Sequence, residues 1–261
     1  MQKFLQNLFN FFYYNNTQML LLFIFFVLYI VLVIAIIIYQ IRETPFDNNK
    51  KDKLSLKTDG FKIFDHDNIN EILKLSLPKN YILIDYLYII KGCTISTFHR
   101  DVTSSSFIFK TKHPVYTLIS YYNKGPLLTL CPESHTTTPF LFQPPKIIYG
   151  NPGTYILFNC DIVHAGAINN FGNDRLAIQR KICHKDDLED LKHLIGINKT
   201  SLGKCANRKK NDNYVYTLRK LSFFFSFFIN HIFTSFLLEK PKKDSISEYL
   251  IDTFYIGDFY I

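Results

Sequence analysis

The chain has no C-x-x-C pair, and its five cysteines, Cys93, Cys131, Cys160, Cys183 and Cys205, are an odd number. That set supports neither a zinc knuckle nor a disulfide framework, and it agrees with a reducing compartment. No internal repeat is visible, and 261 residues divide most naturally into one domain of about 150 residues with an anchor and a tail. Basic residues outnumber acidic ones, 30 to 22, for a net charge of +8. Yet no aromatic-interleaved recognition module accompanies the basic cluster Lys204, Arg208, Lys209, Lys210, Arg219 and Lys220. Its absence turns the reading away from nucleic acid. An anionic membrane leaflet is the simpler partner, at about 1 kcal/mol for each basic residue near the surface.

Charge is missing altogether from residues 19–38. At ~1.5 Å per residue this apolar run is long enough to cross a ~30 Å hydrocarbon layer. A signal peptide has an apolar region of only ~7–15 residues, ending in small side chains. This run is longer and ends in Tyr39-Gln40-Ile41-Arg42, so it reads as a single-pass transmembrane anchor over about 19–39 within residues 1–43. Only Lys3 and the amino terminus precede it, whereas Arg42, Lys50, Lys51 and Lys53 follow. The positive-inside tendency then places the large domain in the cytosol. The N-x-T triplets at Asn15 and Asn198 argue otherwise only if their side is lumenal.

Beyond a polar, charged linker over 44–59, residues 61–76 alternate in a helix-like manner and stop before Pro78. Runs of β-formers follow at 81–90, 94–98 and 114–122, with Gly92 as a break. A turn and short strand occupy 125–135, Asn151-Pro152-Gly153 turns into a buried-type strand at 154–158, and another strand covers 175–182. Short strands joined by short turns suggest an all-β barrel or jelly roll. Residues 185–197, with Leu188, Leu191 and Leu194 at three-residue steps, read as a helix.

On a strand, residues i and i+2 share a face about 6.6 Å apart, so His99 and Asp101 can close on one metal while Arg100 points away. Eight histidines make an isolated H-x-D close to a chance event, and its weight comes from its setting. His164 and Arg175, like the H-x-D pair, fall at or near strand ends. Two imidazoles and one carboxylate on one face of an octahedral ion leave three positions open, the ligand set of non-haem Fe(II) oxygenases. Arg175 offers a guanidinium that matches a carboxylate fork. Arg180 is the alternative, but it has the opposite strand parity.

Residues 81–184 resemble the phytanoyl-CoA-dioxygenase-like branch of the Fe(II)/2-oxoglutarate oxygenases. The resemblance lies in H-R-D at 99–101, G-P-L-L-T-L-C-P-E-S-H at 125–135, G-T-Y-I-L-F at 153–158, H-A-G at 164–166 and R-L-A-I at 175–178. The step of eleven residues from His164 to Arg175 is that family's usual spacing. The resemblance implies a mainly β domain over 60–203, a double-stranded β-helix (jelly-roll or cupin-like) with flanking helices. It implies Fe(II) held by His99, Asp101 and His164, and 2-oxoglutarate chelating the iron with its far carboxylate on Arg175. The co-substrate would become succinate and CO₂ as the substrate is hydroxylated. Two positions depart from the pattern: Gly166 stands where the family often has a hydroxyl residue, and Glu133 replaces the glycine of a P-G-S-H loop. Iron halogenases of this fold lose the carboxylate, so Asp101 argues against halogenation. A non-catalytic membrane-anchored scaffold, or a cupin-like metal or ligand binder, is the competing class; the binder would need no arginine at this spacing.

The remaining residues have plainer readings. His135 orders a loop, with contact to substrate as the alternative; His66 sits solvated at a helix start; and residues 103–106 read as a polar loop, with lining of the site's mouth as the alternative. His113, His184, His193 and His231 show no partner pattern. In the basic region 204–261, the apolar helix 221–238 carries Ser222, Ser226, Asn230 and Thr234 every four residues. Such a stripe suits a partner helix in the bilayer, an interfacial helix or a buried core helix. The substrate is left open between a small molecule, a lipid and a protein, with the anchor favouring lipid-like or membrane-bound ones.

Overall fold

The structure, a computed structural model, describes residues 2–65, 68–92, 97–136, 143–168, 175–202, 217 and 219–223. The chain divides into two units, Met1–Arg42 and Glu43–Ile261. The first is one helix, α1 (Gln2–Gln40). Its segment Gln18–Tyr39 has a mean hydropathy of 3.5 and no buried part, so it is apolar all round rather than amphipathic. Among the described residues it is the one helix long and apolar enough to cross a membrane.

Among its described residues the second unit contains eleven strands. In chain order they are β1 (Thr44–Pro45), β2 (Phe61–Phe64), β3 (Tyr81–Leu83), β4 (Tyr86–Lys91), β5 (Tyr116–Tyr121), β6 (Gly125–Leu130), β7 (Lys146–Gly150), β8 (Thr154–Asn159), β9 (His164–Gly166), β10 (Leu176–His184) and β11 (Ile197–Leu202). They form a seven-stranded sheet, β11-β4-β10-β5-β8-β2, with β3 also paired to β10, and a four-stranded sheet, β1-β7-β6-β9. The pairings nest. β6 pairs with β7, β5 with β8, the single bridge at His99 with β9, and β4 with β10, all antiparallel. A long hairpin folded back on itself in this way is a jelly roll.

β5 and β8 are buried at every position, so they read as continuous apolar runs rather than alternating ones. One face of each, with Ile119, Tyr121, Ile156 and Phe158, meets Leu128, Leu130 and Ile148 of the other sheet between the layers. The opposite face, with Leu118, Tyr155 and Leu157, is covered by Ile72 and Leu77 at α2 (Ile69–Ser76). Asn68 caps α2 by accepting from the Glu71 N–H at 3.2 Å, and Pro78 follows its end. Ile72 is fully buried, which stabilises the fold by about 1.5–3 kcal/mol.

Four expectations change. Residues 44–59 are not a linker: β1 adds to β7, and Leu54 and Leu56 enter the core. Their apolar side chains are sparse, so their polarity hid the pairing. Residues 61–64 form β2 rather than the start of a helix, because F-K-I-F has period two and Phe61 and Ile63 face inward against β8. Residues 81–90 break at Ile84-Asp85 into β3 and β4. Residues 185–187 and 192–194 form 3-10 turns rather than one helix, and Ile197 begins β11; the Asp187 carboxylate is drawn to the N–H groups of Lys112 and His113. The expected helix 221–238 lies largely outside the described residues, as do His66, His231, residues 93–96 and the turn at 172–174. The described part of the basic region is not separate from the domain: Ser222 Oγ accepts from the Phe98 N–H at 2.8 Å, and Phe223 packs edge-on against the Phe98 ring.

Candidate metal centre

His99 and His164 exchange both backbone hydrogen bonds, each at 2.9 Å, which places their side chains together on one face. Their ring centroids are 4.5 Å apart. The Asp101 N–H donates to Cys160 O at 2.9 Å, so the chain stays fixed beyond the bridge and turns into a 3-10 segment at Val102–Ser104. Arg100 leaves this face and donates to Ser134 O at 2.9 Å. Ligand atoms of His99, Asp101 and His164 all lie within 4.8 Å of one another.

Hydrogen bonds select which atoms face the centre. His99 Nδ1 lies 2.9 Å from Thr97 O, and His164 Nδ1 lies 3.0 Å from Ile162 O. A carbonyl accepts, so each Nδ1 carries its proton and each Nε2 presents a lone pair. Burial, followed by the neighbouring His99, pushes His164 down to about 4, and burial likewise lowers His99. Both rings are therefore neutral near pH 7, the form that ligates a metal.

The carboxylate is divided between two tasks. Asp101 Oδ2 accepts from Thr117 Oγ1 at 2.5 Å, Lys181 Nζ at 2.6 Å and Gln179 Nε2 at 3.2 Å. Oδ1 faces His164, 3.6 Å from its Nε2. Burial alone would raise the Asp101 pKa, but Lys181 and the two imidazoles outweigh it and hold the carboxyl well below its usual range. Burial would lower Lys181, and Asp101 more than reverses it, so the pair is ionic. The donor set of two Nε2 atoms and one carboxylate oxygen fits a divalent iron-type ion with open positions.

Arg175 is buried just before β10, and the alternation of that strand places Ala177, Gln179 and Lys181 inward and Arg180 with Ile182 outward. Across on β5 the Tyr121 hydroxyl is buried without a hydrogen bond of ordinary geometry. Burial pushes it up to about 12, and the nearby Arg175 guanidinium offsets part of the rise. A guanidinium beside a buried hydroxyl has the donors to receive a carboxylate.

Thr117, Tyr121, Gln179 and Lys181 were not among the residues singled out from sequence. The signal for two of them was the parity of Arg175, since polar side chains at 179 and 181 recur on the same inward face. Ser104 and Ser105 are buried rather than in an open polar loop: Ser104 donates to Cys160 Sγ at 3.1 Å, and Ser105 donates to Asp161. His135 Nε2 does tie a loop, at 3.1 Å from Lys57 O. His193 Nε2 bonds Thr103 O at 2.7 Å. His113, His184 and Asp187 form a second cluster with ring centroids 3.8 Å apart. Asp187 accepts from Lys112 N, His113 N and His113 Nδ1, and His184 Nδ1 accepts from Asp186 N, so these groups clamp the turn.

Glu133 has φ 65°, the left-handed region, which explains why a glycine serves better at this position. Behind β9, Arg219 donates to Gly166 O at 2.8 Å and to both carboxylate oxygens of Glu43 at 2.7 and 2.9 Å.

No family model matches the chain, and no curated protein matches it. Solved structures do. The non-heme alpha-ketoglutarate-dependent epimerase SnoN from nogalamycin biosynthesis is 12% identical, covering 53% of this chain and 84% of its own, with a TM-score of 0.35. A variant of the iron and alpha-ketoglutarate-dependent endoperoxidase NvfI is 11% identical, covering 52% and 82%, with a TM-score of 0.35. EvdO2 from Micromonospora carbonacea var. aurantiaca, complexed with 2-oxoglutarate, is 8% identical, covering 53% and 91%, with a TM-score of 0.33.

Proposed function

We propose that the domain is an Fe(II)- and 2-oxoglutarate-dependent dioxygenase of the phytanoyl-CoA-dioxygenase-like kind, hydroxylating a lipid-like or membrane-associated substrate. The observation that carries this reading is the convergence of His99 Nε2, His164 Nε2 and Asp101 Oδ1, each fixed by a hydrogen bond elsewhere on its own side chain. When bound, iron with 2-oxoglutarate supplies the oxidation of the co-substrate and of the substrate C–H bond.

The chain's own residues do the positioning. Thr97 O and Ile162 O orient the imidazoles, Thr117, Gln179 and Lys181 orient the carboxylate, and Arg175 with Tyr121 receives the far carboxylate of the co-substrate. The buried strands β5 and β8 exclude water from that end of the jelly roll. α1 serves as the anchor with the domain on the cytosolic side, which confines encounters to the membrane surface and favours a membrane-resident substrate.

The test is an anaerobic titration of the full chain in detergent with Fe(II) and then 2-oxoglutarate, followed by the visible charge-transfer band of the chelate. The band is expected in the wild type, absent in Asp101→Ala and shifted to higher 2-oxoglutarate in Arg175→Ala. No band in folded wild-type protein rejects the assignment.

A further inference from the structure

Lys181 is among the largest fully buried side chains of the protein, at 1% exposure. A buried ammonium is costly unless an anion and hydrogen bonds compensate it. Its Nζ lies 2.6 Å from Asp101 Oδ2, 2.8 Å from Thr117 Oγ1 and 3.8 Å from Cys160 Sγ, with the Tyr86 ring centroid at 5.8 Å. Among the described residues Asp101 is the one carboxylate that pairs with it. The carboxylate proposed as a metal ligand is therefore already bonded to a second, permanent cation.

Two consequences follow from charge alone. Lys181 occupies Oδ2, so Asp101 offers the metal a single oxygen and cannot chelate it through both. It also places a positive charge in a water-poor site, where it repels a divalent cation and attracts whatever anion joins that cation. Thr117 and Gln179 share Oδ2 with Lys181, at 2.5 and 3.2 Å.

We propose that Lys181 is a positioning residue that holds Asp101 as a one-oxygen ligand and trades affinity for the metal against affinity for the metal's anionic co-ligand. The inference rests on the dioxygenase reading for the identity of that anion, a 2-oxo diacid. A residue needed only for folding would weaken both affinities when replaced. Lys181 moves them in opposite directions.

The experiment uses the full chain in detergent with Co(II) as the metal probe, read by its visible absorption. Oxalate and 2-oxoglutarate are then titrated onto the Co(II)-loaded protein. Lys181→Gln keeps a hydrogen-bond donor toward Asp101 and removes the charge; Lys181→Met removes both. Because a charged hydrogen bond is worth about tenfold or more in an equilibrium constant, Lys181→Gln should bind Co(II) about tenfold tighter and both anions about tenfold more weakly. Lys181→Met, where it folds, should go further in each direction. Metal and anion affinities that fall together, or that both stay within about twofold of the wild type, overturn the proposal. Wild-type protein that takes Co(II) and oxalate but not 2-oxoglutarate overturns the dioxygenase reading and leaves the Lys181 trade measurable with oxalate. Failure of the wild type to bind Co(II) overturns both.

Discussion

Replacing Arg219 by Met should cost the domain about 4 kcal/mol, although Arg219 lies outside every described strand. Its side chain is 1% exposed, and Glu43, which it grips through Nε and Nη2, is 16% exposed. Removing one partner of such a pair leaves an uncompensated buried charge, a loss of about 3–5 kcal/mol. Thr129 Oγ1, bonded at 3.0 Å, and Gly166 O, at 2.8 Å, lose a donor as well, at about 0.5–1.5 kcal/mol each where nothing replaces it. The guanidinium also lies 4.7 Å over the Phe98 ring, worth about 0.5–2 kcal/mol. These contributions overlap, so about 4 kcal/mol is the working figure, a large part of the roughly 5–15 kcal/mol of an ordinary domain. Urea unfolding of the detergent-held chain reads it through tyrosine emission, since the protein has 17 tyrosines and no tryptophan. Combining Glu43→Leu with Arg219→Met removes both charges and should return the stability to within about 2 kcal/mol of the wild type. A single-variant loss below about 1 kcal/mol, or a double variant as costly as the two singles added, refutes the buried pair.

The other predictions concern single sites. Tyr121→Phe should raise the 2-oxoglutarate dissociation constant between about twofold and tenfold with Co(II) binding unchanged; calorimetry checks both. Burial would raise the Asp187 pKa, but the N–H groups of Lys112 and His113 and the His113 ring outweigh it and hold the carboxyl below its usual range. A depressed folded value stabilises above the unfolded pKa, near 3.9, and that stabilisation is lost as pH falls through the folded value. Asp187→Asn should therefore flatten the fall in urea midpoint below about pH 4, whereas an unchanged acid limb would assign that fall to other carboxylates. Glu133→Gly relieves a φ of 65° and should stabilise by up to about 1 kcal/mol, the steric gain being partly offset by chain entropy. A net loss in thermal unfolding would mean that the Gln143 bond to Glu133, 2.7 Å, outweighs the strain.

The jelly roll was legible because its strands carry β-branched and aromatic runs between strong turn signals, as at 114–122 and 151–158. The convergence of His99, Asp101 and His164 was legible because an H-x-D step fixes a shared face before any partner is known. Strand parity and distance along the strand gave the grounds for reading Arg175 ahead of Arg180, and β10 does set Arg180 on the face opposite Gln179 and Lys181. Lys181 was hidden because lysine is seldom buried, and only its pairing with Asp101 makes an inward position tolerable. β1 and the Glu43–Arg219 pair were hidden for another reason: each joins residues more than a hundred positions apart, and a polar segment gives no periodic signal of what it will pair with. The turns at 185–194 kept helical spacing of leucines, but bonds from Asp187 to a distant loop overrode it.

The most direct test of the dioxygenase reading is release of labelled CO₂ from 2-oxoglutarate carrying the label at its C1 carboxyl. Full-length protein in detergent, loaded with Fe(II) and exposed to air, should release label in an iron-dependent manner, and His164→Ala should reduce release to the protein-free background. Folded, iron-loaded wild-type protein that releases none, or a His164→Ala variant that releases as much as the wild type, would contradict it.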